Sequence, residues 1–380
     1  MEQANLFNDL LYGSGIEING SNPWDIQINS TETFERILLD GSLGFGEAYM
    51  DGLWDCDDLA ELINRLLRAN IVDKFDAMMT VRLGAAIGKQ KFMDLFNPQN
   101  ITQSKDSVRH HYDIGNDLYT TMLDKRLTYT CGYWRYTDCL EQAQEDKLDL
   151  ICRKLNLKPG MRILDIGCGW GSLMHYAAEK YGVECDGLTL SVEQAKLGQK
   201  IADKQDLPVN FILLDYREFQ PTEPYDAVVS VGMIEHVGPM NYPDYFGNIH
   251  RFLKNDGVFL LHTIGGVTSK TKADPWFDRY IFPNGVIPSL TQLSTAIETL
   301  FNVEDLHNFG PCYDKTLTAW YHNFSEHWFL LESKYGDRFY RMWRYYLLAS
   351  AGAFRARTLN VWQLVLTKQG GALPSYIRQL

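Results

Sequence analysis

The sequence has few of the features that would place it in several other classes of protein. It has no run of about 18 apolar residues, so no membrane-spanning helix is expected. Its net charge is −12, whereas a nucleic-acid-binding protein would carry a basic surface. The stretch from Met1 to Gly15 lacks the basic start and apolar centre of a secretory signal. We therefore expect a folded, cytoplasmic protein without a nucleic-acid partner.

Cysteine pairs with metal-binding spacing are also missing. The seven cysteines include no Cys-x-x-Cys pair and are scattered along the chain. Such an odd, scattered set argues against a disulfide framework and against a zinc site, and it fits a reducing compartment. Aromatic residues, in contrast, make up 13% of the chain, which suits a large core or a site for an apolar or cationic ligand.

The first part of the chain predicts short helices. Asp57 is the expected N-cap of a helix that runs through Leu59 to Leu67, and residues 73–88 predict another helix. The polar stretch from Lys89 to Asp106 contains Asn97-Pro98 and predicts a linker. We therefore predict an N-terminal, mainly helical domain over residues 1–105 and a larger domain over residues 106–380.

From about residue 138 onward, predicted strands alternate with predicted helices. This alternation is typical of an α/β fold with a parallel sheet. The aromatic and proline-rich stretch from Asp274 to Gly285 interrupts the pattern like an insertion over a site. The predicted strands are Arg162–Ile166, Glu184–Thr189, Asn210–Leu214, Ala227–Val231, Val258–Thr263, Val303–His307 and Val361–Thr367.

A glycine-rich loop, Asp165-Ile166-Gly167-Cys168-Gly169-Trp170-Gly171, stands between the first of these strands and a predicted helix. Glycine lets the backbone approach a ligand, and the start of a helix offers N–H groups to an anion. The spacing differs from the Gly-x-Gly-x-x-Gly of dinucleotide sites, so a turn without special function is the alternative. We expect Asp165 to bind an ammonium group of a ligand, directly or through water.

Polar side chains also follow the next two strands, where open α/β sheets bind ligands. The hydroxyl and amide side chains that follow the second predicted strand suit hydrogen bonds to the hydroxyl groups of a ribose. After the third strand, a carboxylate can accept a hydrogen bond from an adenine amino group, and a tyrosine can stack on the adenine ring. A simple turn cap is the alternative for that carboxylate. The predicted cofactor-binding residues of the two segments are Thr189, Ser191, Gln194, Asp215, Tyr216 and Arg217.

Two candidates for the chemistry lie at the ends of later strands. Glu235 follows the fourth strand, and His262 ends the fifth. Taken alone, each has a plain structural interpretation, as a solvated acid and as a hydrogen-bonded core histidine. Their shared edge of the sheet favours a common site.

Six motifs occur in an order that resembles the bacterial cyclopropane-fatty-acyl-phospholipid synthases and the related mycolic acid cyclopropane synthases. The resemblance covers nearly the whole chain. Its most specific part consists of the motifs that begin at Tyr129, Gly232 and His262. The motifs are His-Tyr-Asp-x-Gly-Asn-Asp from His111, Tyr-Thr-Cys-Gly-Tyr-Trp from Tyr129, the glycine loop, Gly-Met-Ile-Glu-His-Val-Gly-Pro from Gly232, His-Thr-Ile-Gly from His262 and Tyr-Ile-Phe-Pro-Asn-Gly from Tyr280.

The resemblance implies a Rossmann-like, class I S-adenosylmethionine (SAM)-dependent methyltransferase fold, with a seven-stranded, mostly parallel sheet and a small helical N-terminal domain. It implies SAM as cofactor, to which Tyr129 and Thr130 would also bind, and a bicarbonate ion as proton acceptor. The sequence departs from the family pattern at two positions: Thr130 stands where Ser is common in the family, and Ser172 stands where Gly is common in the family. The positions that match the family's bicarbonate ligands are Cys131, Glu235, His262, Ile264 through its backbone, and Tyr321.

The expected reaction adds a methylene bridge across the double bond of a phospholipid acyl chain. Direct action of Glu235 or His262 as the base is a second possibility beside bicarbonate. The fold would also suit a small-molecule methyltransferase, an enzyme that forms methyl-branched or hydroxylated lipids, or a non-catalytic sensor of lipid or cofactor. A homodimer, peripheral at the inner face of the membrane, is what the resemblance suggests.

The membrane contact has two candidate segments. One is the N-terminal helical region, and the other is the aromatic segment Phe339–Phe354, where Arg338, Arg341 and Arg344 could meet lipid phosphate. An ordinary buried helix is the alternative for the second segment.

Overall fold

The computed structural model describes residues 2–83 and 115–371 of the 380-residue chain. The predicted linker Lys89–Asp106, the boundary at residue 105 and the start of the first motif, His111 to Ile114, lie outside these residues. The helices are α1 (Glu2–Leu11), α2 (Glu32–Met50), α3 (Leu59–Arg68), α4 (Ile71–Leu83), α5 (Asn116–Met122), α6 (Leu140–Lys154), α7 (Ser172–Tyr181), α8 (Val192–Lys204), α9 (Tyr242–Phe252), α10 (Pro275–Tyr280), α11 (Leu290–Ile297), α12 (Pro311–Glu326) and α13 (Glu332–Arg355).

The strands form a small and a large sheet. The strands are β1 (Gln27–Ile28), β2 (Trp54–Asp55), β3 (Arg162–Ile166), β4 (Glu184–Thr189), β5 (Val209–Leu213), β6 (Tyr225–Val231), β7 (Leu253–Gly266), β8 (Phe301–Asn308) and β9 (Leu359–Lys368). Each of the seven strands predicted from the sequence is present, and β3 and β4 have the predicted bounds.

The chain divides into two compact units that do not follow a single cut in the sequence. The first unit takes its described residues from Met1–Pro98, Ala273–Pro283 and Leu317–Leu359. The second takes them from Gln99–Lys272, Asn284–Thr316 and Asn360–Leu380. The predicted division into residues 1–105 and 106–380 thus omits two later segments of the first unit. The predicted insertion over a site, Asp274–Gly285, falls mostly in that unit.

The first unit is mainly helical, and α13 supplies much of its core. Trp343, Leu347 and Phe354 of α13 are almost completely buried, and α13 packs on α3 and α2. Helix α3 begins after Asp58, whose side chain accepts a hydrogen bond from the Glu61 backbone N–H at 2.9 Å. The predicted cap, Asp57, is therefore one residue too early, because the chain turns into the helix only after Asp58.

The arginines of α13 bind protein groups of the same unit. Arg341 donates to the carbonyls of Tyr49 and Trp54, at 2.6 and 2.9 Å. Arg344 donates to the carbonyl of Cys56 at 3.0 Å and to two tyrosine hydroxyls. The hypothesis that Arg341 and Arg344 meet lipid phosphate is therefore wrong, because their guanidinium groups are occupied. The buried-helix alternative describes this segment.

The second unit contains the large sheet, whose strand order is β5-β4-β3-β6-β7-β9-β8. The ladders β5·β4, β4·β3, β3·β6 and β6·β7 are parallel, and β8·β9 is antiparallel. The central strands are buried on both faces because helices cover them, as is usual for parallel sheets. The predicted α/β fold with a mostly parallel, seven-stranded sheet is confirmed. Its consequence is that β3, β4, β5, β6 and β7 all present their carboxyl ends at one edge.

None of the helices within residues 2–83 and 115–371 combines the length and apolar character that crossing a membrane would require.

Candidate active site

The glycine loop after β3 has a backbone that only glycine adopts without strain. Gly167, Gly169 and Gly171 have φ angles of 83°, 56° and 82°. A Cβ at Gly167 would lie 2.6 Å from the Met233 side chain, so close packing also requires glycine there. A Cβ at Gly169 would meet nothing within 4 Å among the described residues. The loop thus leaves open space at Gly169, into which a ligand can come close to the backbone.

Asp165 is the penultimate residue of β3, beside this loop, and is 3% exposed. Its Oδ1 atom is buried and has no hydrogen-bond partner in the described part of the chain. Burial raises the pKa of the carboxyl to about 7, and the nearby Lys147 ammonium acts in the opposite direction. An unpaired buried carboxylate is costly, so a cationic group of a ligand would stabilise it.

The residues after β4 form a small hydrogen-bonded cluster. Ser191 is the N-cap of α8 and accepts from the Gln194 backbone N–H at 3.3 Å. The Thr189 hydroxyl donates to Gln194 Oε1 at 3.1 Å. All three side chains are buried at the ligand-binding edge. They are brought together as predicted, and their contact with a ribose stays a prediction.

The segment after β5 has a more specific arrangement than the sequence indicated. Both Asp215 carboxylate oxygens accept from the Arg217 guanidinium, each at 2.8 Å, so these two predicted cofactor residues pair with each other. Tyr216 is 5% exposed, and its hydroxyl has no hydrogen-bond partner within the described ranges. Its ring packs edge-on against Tyr245. The roles of Asp215 and Tyr216 toward adenine stay predictions.

The aromatic segment that starts at Tyr129 lies against the glycine loop. The Tyr119 ring contacts both the Tyr129 ring and the Trp170 ring, with centroids 5.1 Å apart in each case. Trp170 also donates from its indole to Asn116 Oδ1 at 3.3 Å. A Cβ at Gly232 would lie 2.9 Å from the Thr130 methyl group. Tyr129 and Thr130 are therefore at the carboxyl edge of the sheet, where a cofactor contact was predicted.

Cys131 follows in the same segment and is completely buried. Burial raises the pKa of its thiol well above the usual range, so the thiol is neutral. Thr316 organises the surrounding backbone, since its hydroxyl accepts from the Gly132 backbone N–H at 3.0 Å and from the Trp134 indole at 2.8 Å. The Thr316 hydroxyl is also 4.0 Å from the Cys131 sulfur. The sequence did not indicate Thr316.

Glu235 lies in the 3₁₀ turn Ile234–His236 after β6 and is 8% exposed. Its Oε1 atom accepts from the Ile264 backbone N–H at 2.7 Å. Its Oε2 atom is buried and lacks a hydrogen-bond partner among the residues described. Burial raises the pKa of the carboxyl, although the Ile264 hydrogen bond acts against this shift. The structure thus brings Glu235 and Ile264 into contact and leaves one carboxylate oxygen for a further group.

His262, near the end of β7, is 2% exposed. Burial lowers its pKa well below the usual value, so the ring is neutral near pH 7. The Gln363 amide nitrogen is 3.3 Å from His262 Nδ1. When that amide donates, the proton of the neutral ring is on Nε2, and Nε2–H can donate to an anion. Phe309 contacts both the His262 ring and the Tyr133 ring, with centroids 5.6 and 5.5 Å apart.

Tyr321 belongs to the first unit, unlike the other predicted bicarbonate ligands. Its hydroxyl accepts from Arg344 Nε at 3.2 Å. Burial acts to raise the pKa of Tyr321, but the Arg344 guanidinium and neighbouring hydroxyls lower it overall. The acidified phenol is a strengthened hydrogen-bond donor, and its role toward bicarbonate stays a prediction.

Helix α6 contributes two buried polar residues that the sequence analysis missed. Gln144 donates to the Thr130 carbonyl at 2.8 Å, and Lys147 donates to the Thr130 hydroxyl at 2.8 Å. Both stand on the face of α6 that also carries Ala143, Leu148 and Ile151, all of which are buried. Two polar side chains, three residues apart on an apolar helix face, are the signal that could have revealed them.

The described residues fit SAM and an oxyanion by their donor chemistry. Asp165 offers an unpaired acid to an ammonium group, and Gly169 leaves backbone space beside it. Glu235 offers a free carboxylate oxygen, and neutral His262 offers a ring N–H, to an anion that itself carries a proton. The acceptor, Glu235, suits the protonated oxygen of bicarbonate, and the donor, His262, suits an unprotonated oxygen.

Comparison with known proteins identifies the family of the chain. Residues 99–364 match the family described as mycolic acid cyclopropane synthetase. The chain is 47% identical, over 95% of its length and 92% of the relative, to the cyclopropane-fatty-acyl-phospholipid synthase of Escherichia coli K12. It is 34% identical to a probable fatty acid methyltransferase of Mycobacterium tuberculosis, over 86% of this chain and 83% of the relative.

A solved relative supports the fold at the level of coordinates. The mycolic acid cyclopropane synthase CmaA1, in complex with S-adenosylhomocysteine (SAH) and CTAB, aligns with a TM-score of 0.65 and 33% identity. The alignment covers 70% of this chain and 98% of CmaA1. The chain therefore belongs to the mycolic acid cyclopropane synthetase family, and it is a SAM-dependent methyltransferase of the cyclopropane synthase type. The predicted family, fold and enzyme class are confirmed.

Proposed function

We propose that this protein transfers a methylene group from SAM to the cis double bond of an unsaturated acyl chain in a membrane phospholipid. The products are a cyclopropane acyl chain, SAH and a proton. The observation that carries the proposal is the buried pair formed by Glu235 and the Ile264 backbone, which leaves Glu235 Oε2 without a partner among the described residues. A buried carboxylate with one unpartnered oxygen suits a reaction in which the transferred methyl group must lose a proton.

The chemistry explains why a buried polar group is required. SAM supplies an electrophilic methyl group, and attack by the alkene electron pair breaks the carbon–sulfur bond and leaves a carbocation. That cation must lose a proton from the new methyl group as the ring closes, so a base must stand beside it. The site must also exclude water, which would trap the cation as an alcohol. The buried state of Cys131, Glu235 and His262 meets this second need.

We propose bicarbonate as the proton acceptor. When bound, it supplies a base that carries its own proton and can be held by donors and acceptors alike. Glu235 Oε2 would accept the bicarbonate proton in a hydrogen bond, and His262 Nε2–H would donate to another oxygen. Cys131, the Ile264 backbone and Tyr321 would complete the set that the family resemblance implies. Burial lowers the pKa of His262 well below its usual value and keeps the Cys131 thiol neutral, so both groups are weak proton acceptors, which supports this assignment.

A lipid C-methyltransferase is the second candidate function. It is favoured by the relative named a probable fatty acid methyltransferase, which matches most of the chain. Such an enzyme would use the same cofactor pocket, but the cation would lose a proton from the acyl chain to give a methyl-branched alkene, or would add water and lose a proton to give a hydroxylated chain. The fold and the cofactor site do not separate the two products.

The function is tested with the purified full chain, SAM and vesicles of a phospholipid with oleoyl chains. Proton NMR of the extracted lipid distinguishes cyclopropane ring protons from a vinyl methyl group or an alcohol. The rate should be lower in carbon dioxide-free buffer without bicarbonate, and adding bicarbonate to that buffer should restore the rate. Cyclopropane formation that is indifferent to bicarbonate would instead favour Glu235 or His262 as the direct base.

We also propose that the protein acts in the cytoplasm as a homodimer, bound to the inner face of the membrane. Phe329 and Leu330 support the membrane contact, since they are adjacent and 69% and 60% exposed. They lie in the 3₁₀ turn Trp328–Leu330 between α12 and α13, within the first unit. Adjacent exposed apolar side chains suit insertion at a bilayer surface, which the negative net charge would not by itself favour.

Vesicle co-sedimentation tests this contact. A double variant, Phe329→Asp with Leu330→Asp, should bind phospholipid vesicles several-fold more weakly than the unaltered protein. Leu213→Asp, which changes a 51% exposed leucine of the second unit, is the control and should bind normally. Equal binding by all three would contradict the contact. Sedimentation velocity of the double variant would show whether the pair instead joins two copies of the chain.

A further inference from the structure

Lys147 is an unusual residue in an enzyme core. It is 1% exposed, and lysine is almost never fully buried unless it is paired. Its one hydrogen bond among the described residues is to the Thr130 hydroxyl, at 2.8 Å. A neutral hydroxyl does not balance a buried ammonium, so the reason for the charge must lie in its other neighbours.

The titratable groups of the described residues that interact electrostatically with Lys147 are Asp124, Cys131, Asp165 and His262. Cys131 and His262 are neutral, as described above. The Asp124 carboxylate is already satisfied, because it accepts from the backbone N–H groups of Arg126 and Thr128 at 3.0 and 2.8 Å. Only Asp165 combines a charge that Lys147 can balance with an oxygen that lacks a partner in the described structure.

We propose that Lys147 is a positioning residue that keeps Asp165 ionised for the ammonium group of SAM. The inference rests on the proposed function, since Asp165 has this role only in a SAM pocket. Lys147 acts from a distance as a countercharge and leaves the free Asp165 oxygen to the ligand. Through Thr130 it also fixes the segment that leads into Cys131, so one side chain serves both the cofactor and the proton-acceptor parts of the site.

The directions of the pKa shifts agree with this role. Burial raises the pKa of Asp165 to about 7, and without the Lys147 charge it would be higher still. Burial lowers the pKa of Lys147 to about 8, while the carboxylates of Asp124 and Asp165 act to raise it. Near pH 7 Lys147 therefore remains charged and favours the charged form of Asp165.

The test is the pH dependence of SAH binding, measured by isothermal titration calorimetry between about pH 6 and 8.5. SAH carries the same ammonium group as SAM and needs neither lipid nor bicarbonate. In Lys147→Met the loss of affinity on acidification should begin about one pH unit higher than in the unaltered protein. Because protonation of one required acid weakens binding about tenfold per pH unit below its pKa, affinity at pH 7 should fall about fivefold and recover toward pH 8.5.

Lys154→Met is the matched control. Lys154 is the other completely buried lysine of α6, and it forms an ion pair with Asp305 at 3.1 Å. Its loss should destabilise the fold but leave the pH dependence of SAH affinity unchanged. A loss of affinity in Lys147→Met that is equal at every pH, or no loss at all, would overturn the proposal. In Asp165→Asn, the added Lys147→Met change should produce no further pH-dependent effect.

The unaltered protein provides a test that does not depend on the folding of a variant. Since Asp165 is partly protonated near pH 7, SAH binding should release a fraction of a proton, which titrations in two buffers with different ionisation heats measure. The release should disappear in Asp165→Asn. Absence of release in the unaltered protein would refute the role of Asp165 and hence of Lys147. Lipid analysis of the same preparation shows separately whether the proposed reaction occurs.

Discussion

Glu235→Gln isolates the role of one atom, Glu235 Oε2. The Gln side chain has nearly the same shape and can still accept from the Ile264 N–H, which bonds Glu235 Oε1 at 2.7 Å. The change places an NH₂ donor where Oε2 stood. A hydrogen bond from the bicarbonate proton to a carboxylate contributes about 1.5–3 kcal/mol, so its loss corresponds to about 10- to 150-fold in rate.

The assay is cyclopropane formation on oleoyl phospholipid vesicles at saturating SAM, with SAH affinity measured in parallel. We expect kcat to fall about 100-fold, while the Kd for SAH changes less than about twofold, because Glu235 belongs to the proton-acceptor site. Glu184→Gln makes the same chemical change at an exposed position at the start of β4 and should leave both quantities unchanged. A Glu235→Gln variant that retains full turnover, or that loses SAH binding, would refute the assignment.

Three further predictions concern the cofactor loop and the buried charges. Gly169→Ala should weaken SAH binding more than tenfold and cost about 1 kcal/mol of stability, because the φ angle of Gly169 is 56°. The control is Gly160→Ala, whose φ angle is 81° and whose surroundings are equally open, and it should show only the loss of stability. Calorimetry measures the SAH affinities and thermal melts measure the stabilities; equal SAH affinities in the two variants would contradict a cofactor role for the loop. Asp165→Asn should become more stable relative to the unaltered protein as the pH rises from about 4 to 7. The reason is that the pKa of Asp165 in the folded state is raised to about 7, so the unaltered protein loses stability over that pH range. Denaturant melts in which the two proteins differ in free energy of unfolding by the same amount at every pH would contradict this. Lys154→Met should lower the free energy of unfolding by about 3–5 kcal/mol, because it breaks the buried ion pair with Asp305. An unchanged melting temperature would refute this.

The sheet was predictable because its strands have local signals. β3 and β4 lie between turn residues and the starts of helices, and the alternation of strands with helices predicted both with their observed bounds. The glycine loop was found for the same reason, since three glycines in five residues require special backbone angles. Glu235 and His262 were found because both follow strands whose carboxyl ends meet at one edge.

The remaining features depend on packing between distant segments, which local pattern does not reveal. The pairing of Asp215 with Arg217 depends on side-chain conformations at the end of β5. Arg341 and Arg344 looked like a basic face but bind carbonyls of residues nearly 300 positions earlier. Lys147 was missed because lysine is almost never fully buried, so a lysine on a helix predicts an exposed side chain. Thr316 and Gln363 were missed because no motif surrounds them.

SAM with a fully deuterated methyl group shows directly whether the transferred methyl group loses a proton in the product. If the chain closes a cyclopropane ring by removing a proton from the transferred methyl group, mass spectrometry and NMR of the lipid will show a CD₂ bridge, with one deuteron lost from every transferred group. Retention of an intact CD₃ group in the lipid product would contradict the proposed proton transfer and identify the protein as a lipid methyltransferase.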